Sequence, residues 1–304
     1  MARPRGAALT IGVTAAVVLL TACSTAVPPR QAPQAPHSSD TSAAGTAGAV
    51  GDAYLPQSGS LIWMLTRAAL AQLVADPSTL VQLASAQVYE ILQPGQKPLP
   101  GFAAQTVVTF SSASALAAAV DDSQIPAGTY GVLYDPEAWD FTPLAEQQDP
   151  VQAAAQAAAA AHAHGLRLIV TPALNLATVL APSSQLPRWQ QFLDLNLIGS
   201  LAKVADVVEL QAQSLERDSG TYASFVQAAA RQARAAKPGI GVLAGLSTNP
   251  PGAAVDSQQL TAAIHSTKSL VDGYWLNIPG QGPRCPTCNP AQPDIAIQAL
   301  LAIS

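Results

Sequence analysis

The chain has 304 residues and a formal net charge of -5 at pH 7. Charged residues make up 11% of it and apolar residues 49%. That balance excludes a nucleic-acid binder built on a basic stripe and leaves enough apolar surface for one large core. Much of the apolar share is alanine, which reflects helix content more than a greasy surface.

The N-terminus has its own grammar. Arg3 and Arg5 precede an apolar run from Ala7 to Ala22, and Leu20-Thr21-Ala22-Cys23 closes it. A basic start, an apolar stretch and small residues before a cut site describe a secretory signal. The run is shorter than the ~20 apolar residues that span a bilayer, which argues against an uncleaved membrane helix. The last four residues resemble the lipobox of bacterial lipoproteins. That resemblance implies a signal peptide over residues 1–22, acylation (palmitate) at Cys23, and a lipid-anchored position on the extracytoplasmic face of the cell membrane. Residues 23–58 are rich in Pro, Ala, Ser and Gly with few large apolar side chains. They cannot form a core and read as a disordered tether.

From about residue 59 to 304, strand-like and helix-like runs alternate. Leu61–Leu65 and Gln87–Leu92 are weaker strand candidates. Thr106–Phe110 is a short β-rich run, followed by a helical Ala113–Val120. Gly131–Asp135 is the next strand. Asp149-Pro150 opens a helix, with Asp as cap and Pro in the first turn, and Gly165 fits the position after its end. Leu166–Thr171 is a strand, and a single long helix is expected from Arg188 to Val204. Strands at Asp206–Gln211, Ile240–Leu246 and Gly273–Ile278 are followed by helices at Thr221–Ala236, Asp256–Leu270 and Asp294–Ile303. This alternation argues for a parallel sheet wrapped by helices. Its count and length favour an α/β (β/α)8 TIM-type barrel, whole or incomplete. An open doubly wound sheet competes, but no Gly-x-Gly-x-x-Gly follows the first strand.

In a barrel, chemistry sits at the C-terminal ends of the strands. There the sequence places Tyr134, Asp135, Glu137 and Trp139, then Asn175, then Glu209 and Gln211, then Asn249, and finally Trp275 and Asn277. Residues two apart share a face, so Glu209, Gln211 and Gln213 are expected to point one way, with Val207 and Leu210 outside that set. A polar face inside a lumen is costly unless paired or used. Amides, carboxylates and tryptophans around one mouth suit a sugar. The arrangement is similar to the glycoside hydrolases built on (β/α)8 barrels, which use two carboxyl groups. That likeness implies Glu209 as a catalytic carboxyl with Asp135 or Glu137 as its partner. The strand-end reading itself gives Tyr134, Trp139, Asn175, Gln211, Asn249, Trp275 and Asn277 as candidate ligand-binding residues. The chitinase-type Asp-x-x-Asp-x-Asp-x-Glu run and the Asn-Glu pair of other barrel glycosidases are absent. The Tyr-Asp-Pro-Glu-x-Trp and Thr-Pro-Ala-Leu-Asn-Leu runs also resemble those of actinobacterial lipoproteins, a likeness that implies no activity.

Each candidate has a plainer reading. Asp135-Pro136-Glu137 could be a turn and cap, Glu209 could pair with Arg167 across neighbouring strands, and the asparagines could bond loop backbone. Cys285 and Cys288, crowded by prolines in an exported chain, read as a structural disulfide rather than a redox pair. His162 and His164 diverge at a helix end, so no metal set is expected. No cofactor is implied, since phosphate loops and Gly-x-Ser-x-Gly elbows are missing. The competing function is a non-catalytic surface lipoprotein that binds an envelope component or a protein partner.

Overall fold

The computed structural model describes residues 60–250, 254–282 and 289–303. The signal segment, Cys23, the tether and the Cys285–Cys288 pair lie outside the described residues. Eight strands run parallel and close in chain order, with β8 returning to β1. They are β1 (Ile62–Thr66), β2 (Gln87–Leu92), β3 (Gln105–Phe110), β4 (Gly131–Tyr134), β5 (Arg167–Val170), β6 (Val207–Leu210), β7 (Gly241–Ser247) and β8 (Gly273–Asn277). The barrel is therefore whole, and the two weaker strand candidates are its first two staves.

Helices fill the connections. Between β1 and β2 lie α1 (Arg67–Val74) and α2 (Pro77–Ala84), and α3 (Ala113–Asp121) follows β3. After β4 come α4 (Leu144–Gln148) and α5 (Pro150–Ala163), and after β5 come α6 (Ala177–Leu180), α7 (Arg188–Asp194) and α8 (Leu197–Ala202). The remaining helices are α9 (Ser219–Ala236), α10 (Ser257–Thr267) and α11 (Pro293–Ala302).

Their starts follow local chemistry. Asp149 accepts from Gln152 N at 3.0 Å with Pro150 in the first turn, and Asp256 forms a full capping box with Gln259. Such caps satisfy amides that the first helical turn leaves orphaned. At the far end of α5, Gly165 takes φ 69°, a conformation that costs glycine nothing. The buried face of α5 is all small, with Ala153, Ala154, Ala157, Ala158 and Ala161. A flat alanine surface lets this helix pack against α3 and the sheet.

One expected helix is two. The segment from Arg188 to Val204 breaks at Asn196, which adopts φ 47°. Asparagine tolerates this left-handed region better than most residues. Its side chain folds over Gly199, where an added Cβ would stand 2.5 Å from Asn196 Oδ1.

Strand alternation divides the core in two. Residues facing the helices form the larger cluster, among them Val132, Tyr134, Leu168, Val170, Val208 and Leu210. Residues facing the lumen form the smaller one: Ile62, Met64, Tyr89, Ile91, Val107, Leu133, Ile169, Val207, Leu243 and Trp275. Val207 thus belongs to the same inward set as Glu209, correcting its expected exclusion; a separation of two residues dictates this.

Candidate functional site

Above the apolar lumen, the inward positions turn polar. A cavity of about 690 Å³ opens at the C-terminal ends of the strands. Its wall includes Asp135, Glu137, Trp139, Asn175, Gln211, Asn249, Trp275 and Asn277. Eight of the ten expected site residues thus share one mouth, drawn from four connections and from the last strand.

Asp135 follows β4 by one residue and so points inward. Its Oδ1 accepts from Thr171 Oγ1 at 2.8 Å and from Gln211 Nε2 at 2.7 Å. Gln211 also donates to Thr171 O at 2.8 Å. The ends of β4, β5 and β6 are therefore tied through one carboxylate. Glu137 lies two residues further on. Burial raises its pKa, the charge on Asp135 raises it further, and a hydrogen bond from Asn175 partly opposes both. The result is about 7. Asn175 Oδ1 meanwhile accepts from Ala138 N at 2.9 Å, so its amide holds both the backbone and the acid of the neighbouring loop.

Glu209 is placed differently. It is 0% exposed and is not part of the cavity wall. Neither carboxyl oxygen has a hydrogen-bond partner among the described residues. Burial comes first in raising its pKa well above the ordinary value, followed by the charges on Asp135 and Glu137. Burial without a partner favours its protonated form, since an unpaired buried carboxylate is costly to keep. The alternative Glu209–Arg167 pair does not form. Arg167 reaches Asp206 at 3.5 Å, and His162 Nε2 lies 2.9 Å from the same carboxylate. Asp206 also takes Leu168 N at 2.8 Å. It precedes β6 and Arg167 begins β5, whereas Glu209 lies one full inward step above Val207.

Room for Glu209 comes from a glycine. A Cβ on Gly245 would stand 2.5 Å from Glu209 Oε1 and 2.6 Å from Gln213 Nε2. An inward glycine in a strand marks such a close approach, and that signal went unread in the sequence. A second acid went unread as well. Glu216, in the connection after β6, is 0% exposed and accepts from Ser247 N at 2.9 Å. Burial drives its pKa to about 9, with backbone hydrogen bonds opposing the rise. It anchors the end of β7, from which Ser247 and Asn249 enter the cavity wall.

Tyr134 does not belong to the site. Its neighbours Leu133 and Asp135 face inward, so alternation sends it outward. It is 0% exposed in the helix-facing core and donates to Glu146 at 3.2 Å. Neighbours in a strand point to opposite faces, so sequence adjacency to Asp135 does not bring the ring to the site. Among the described residues, no three His, Cys, Asp or Glu side chains gather as a metal-binding set.

The sequence matches no protein-family model and no curated protein. Among solved structures, it is similar to a chitinase from Chromobacterium violaceum, at 13% identity over 80% of this chain and 99% of that one, with a TM-score of 0.44. Bee venom hyaluronidase is 10% identical over 72% and 90% of the two chains, with a TM-score of 0.44. Triosephosphate isomerase from Bartonella henselae is 12% identical over 71% and 92%, with a TM-score of 0.41. A likeness this distant, shared by hydrolases and an isomerase alike, carries nothing about activity.

Proposed function

We propose that the barrel hydrolyses a glycosidic bond in a cell-envelope glycan, with Glu137 and Asp135 as the reacting pair. The observation that carries this reading is the placement of Asp135 and of Glu137, whose pKa is raised to about 7, in one open cavity beside Trp139 and Trp275. A carboxyl whose proton affinity is raised by burial and a charged neighbour suits the acid of such a pair. Glu137, poised near neutrality, protonates the leaving oxygen as the C–O bond breaks. Asp135 supports the developing positive charge on the sugar and directs water to the anomeric carbon, or bonds that carbon first. The anomer released distinguishes these routes. Asn175, Gln211, Asn249 and Asn277 supply amides for hydroxyl groups, and the two indoles supply flat apolar faces. Glu209 stands behind the pair as a third, fully buried acid.

The test is a screen of the full chain against envelope glycans, with Glu137→Gln, Asp135→Asn and Glu209→Gln alongside. Turnover by the wild type that both Glu137→Gln and Asp135→Asn abolish supports the reading. If Glu209→Gln alone abolishes turnover, Glu209 belongs to the reacting pair instead. Binding without turnover in all four proteins converts the reading to a glycan-binding surface protein.

We further propose that Cys23 carries the lipid that anchors the domain, and that Cys285 and Cys288 form a disulfide. Labelling with a palmitate analogue should mark the wild type and not Cys23→Ser. Mass spectrometry should find the cysteine pair 2 Da lighter than its reduced form.

A further inference from the structure

The largely exposed large apolar side chains among the described residues fall into two groups. Leu80, Val81 and Leu301 lie on α2 and α11, away from the mouth. Phe141, Leu144 and Leu186 lie on the connections after β4 and β5, at 56%, 61% and 46% exposure. These two connections are bound together: Ala173 N donates to Pro136 O at 3.0 Å, Ala138 N donates to Asn175, and α4 packs against α6. They form one rim.

Trp139 belongs to both cavity and rim. It lines the cavity, and its ring meets Phe141 edge-on at 5.0 Å and 78°. Its Nε1 donates to Thr142 Oγ1 at 2.9 Å, which fixes the ring. The apolar surface is thus continuous from the cavity outward. Arg188 stands on the same rim, two residues after Leu186, and is the sole basic residue among the described cavity-lining residues. Its guanidinium has no hydrogen bond and no carboxylate within 4.0 Å among the described residues. Yet Asp135 and Glu137 line the same cavity.

We infer that this rim is a subsite for an acidic sugar unit, with Arg188 as partner of the sugar's carboxylate and Phe141 as the surface on which its ring rests. A neutral glycan offers this guanidinium hydroxyl acceptors but no opposite charge. An anionic glycan would be repelled by the two cavity acids unless a cation met it at the entrance. One guanidinium fork matches one carboxylate in both geometry and charge. The substrate class is therefore a polysaccharide containing uronic or similar carboxylated units, of which one unit lies outside the cavity. This rests on the carbohydrate reading above.

The test measures binding of the full chain to oligosaccharides of two and six units from polygalacturonate, alginate and hyaluronan, each beside its carboxyl-reduced form. The expected result is that at least one acidic hexamer binds about 5- to 10-fold more tightly than its reduced counterpart, less so in high salt. Arg188→Gln should erase that preference, and Phe141→Ala should weaken hexamers more than dimers. Both residues are largely exposed, so neither change empties a packed core. If reduced and acidic forms bind alike, or if Arg188→Gln keeps the preference, the acidic subsite is overturned while the carbohydrate reading stands. If no oligosaccharide of either kind binds, both fall.

Discussion

The lower and upper halves of the lumen use the same strands and the same inward parity, yet their chemistry is opposite. Below, Leu133, Ile169, Val207 and Leu243 pack into a closed apolar layer. One inward step above them stand Asp135, Thr171, Glu209 and Gly245. The lower set is what holds the barrel together: fully burying each branched side chain is worth roughly 1.5–3 kcal/mol. The upper set works against stability, because polar groups in a lumen lose water and gain it back only through partners. Asp135 has such partners in Thr171 and Gln211. Glu209 has none among the described residues. A fold under no further demand would continue the apolar packing upward.

The largest effect that would sharpen this contrast is on activity. Glu137→Gln should lower kcat by about 10²- to 10⁴-fold on whichever glycan proves to be the substrate, with the melting temperature held. In the wild type, turnover should fall as pH rises through about 7, the value to which burial and Asp135 bring Glu137. The acid can give its proton only below that value. A pH-rate profile flat from 6 to 8 would remove Glu137 from the donor role.

Next in size is the pH dependence of stability set by the buried acids. Glu216 titrates near 9 when folded and near 4.5 as a free group. The unfolded chain therefore loses this proton first. The contribution of Glu216 is complete below pH 4.5 and declines as pH climbs toward 9, by ~1.4 kcal/mol per pH unit. Glu209 adds a decline of the same sign. Chemical denaturation at pH 5 and pH 8 should show Glu216→Gln losing much less stability between the two than the wild type does.

A smaller effect probes the space under the mouth. Gly245→Ala should cost about 1–3 kcal/mol, as overpacking does, because the new methyl group collides with Glu209 and Gln213. Coupling it with Glu209→Ala should recover part of that loss, since the colliding carboxyl is then gone. The smallest effect separates the two faces of a single strand. Tyr134→Phe should lose about 1 kcal/mol with the Glu146 hydrogen bond and leave glycan binding untouched. A drop in binding would return Tyr134 to the site.

The comparison also explains what could be read in advance. The cap at Asp149, the glycine after α5 and the alternation of apolar runs are local signals, and the elements they announce are present within a few residues. The helix expected from Arg188 to Val204 failed at Asn196 because a single left-handed residue has no composition signature. Tyr134 lies on the opposite face from Asp135 because the strand's period is two residues, a point linear adjacency conceals. Gly245 and Glu216 were passed over because each matters only through a partner on another strand or connection.

The order of strands and helices and the polar ends of the strands were written in the chain itself, since each depends on residues within a turn or two of one another. Closure decided the rest. Only when β8 meets β1 do residues as distant as Asp135 and Trp275 line one cavity. Only then is Glu209 sealed behind Gly245 while Glu137 stays open to a ligand. Burial and the charge of a neighbour distinguish these acids, and both are properties of the folded surface.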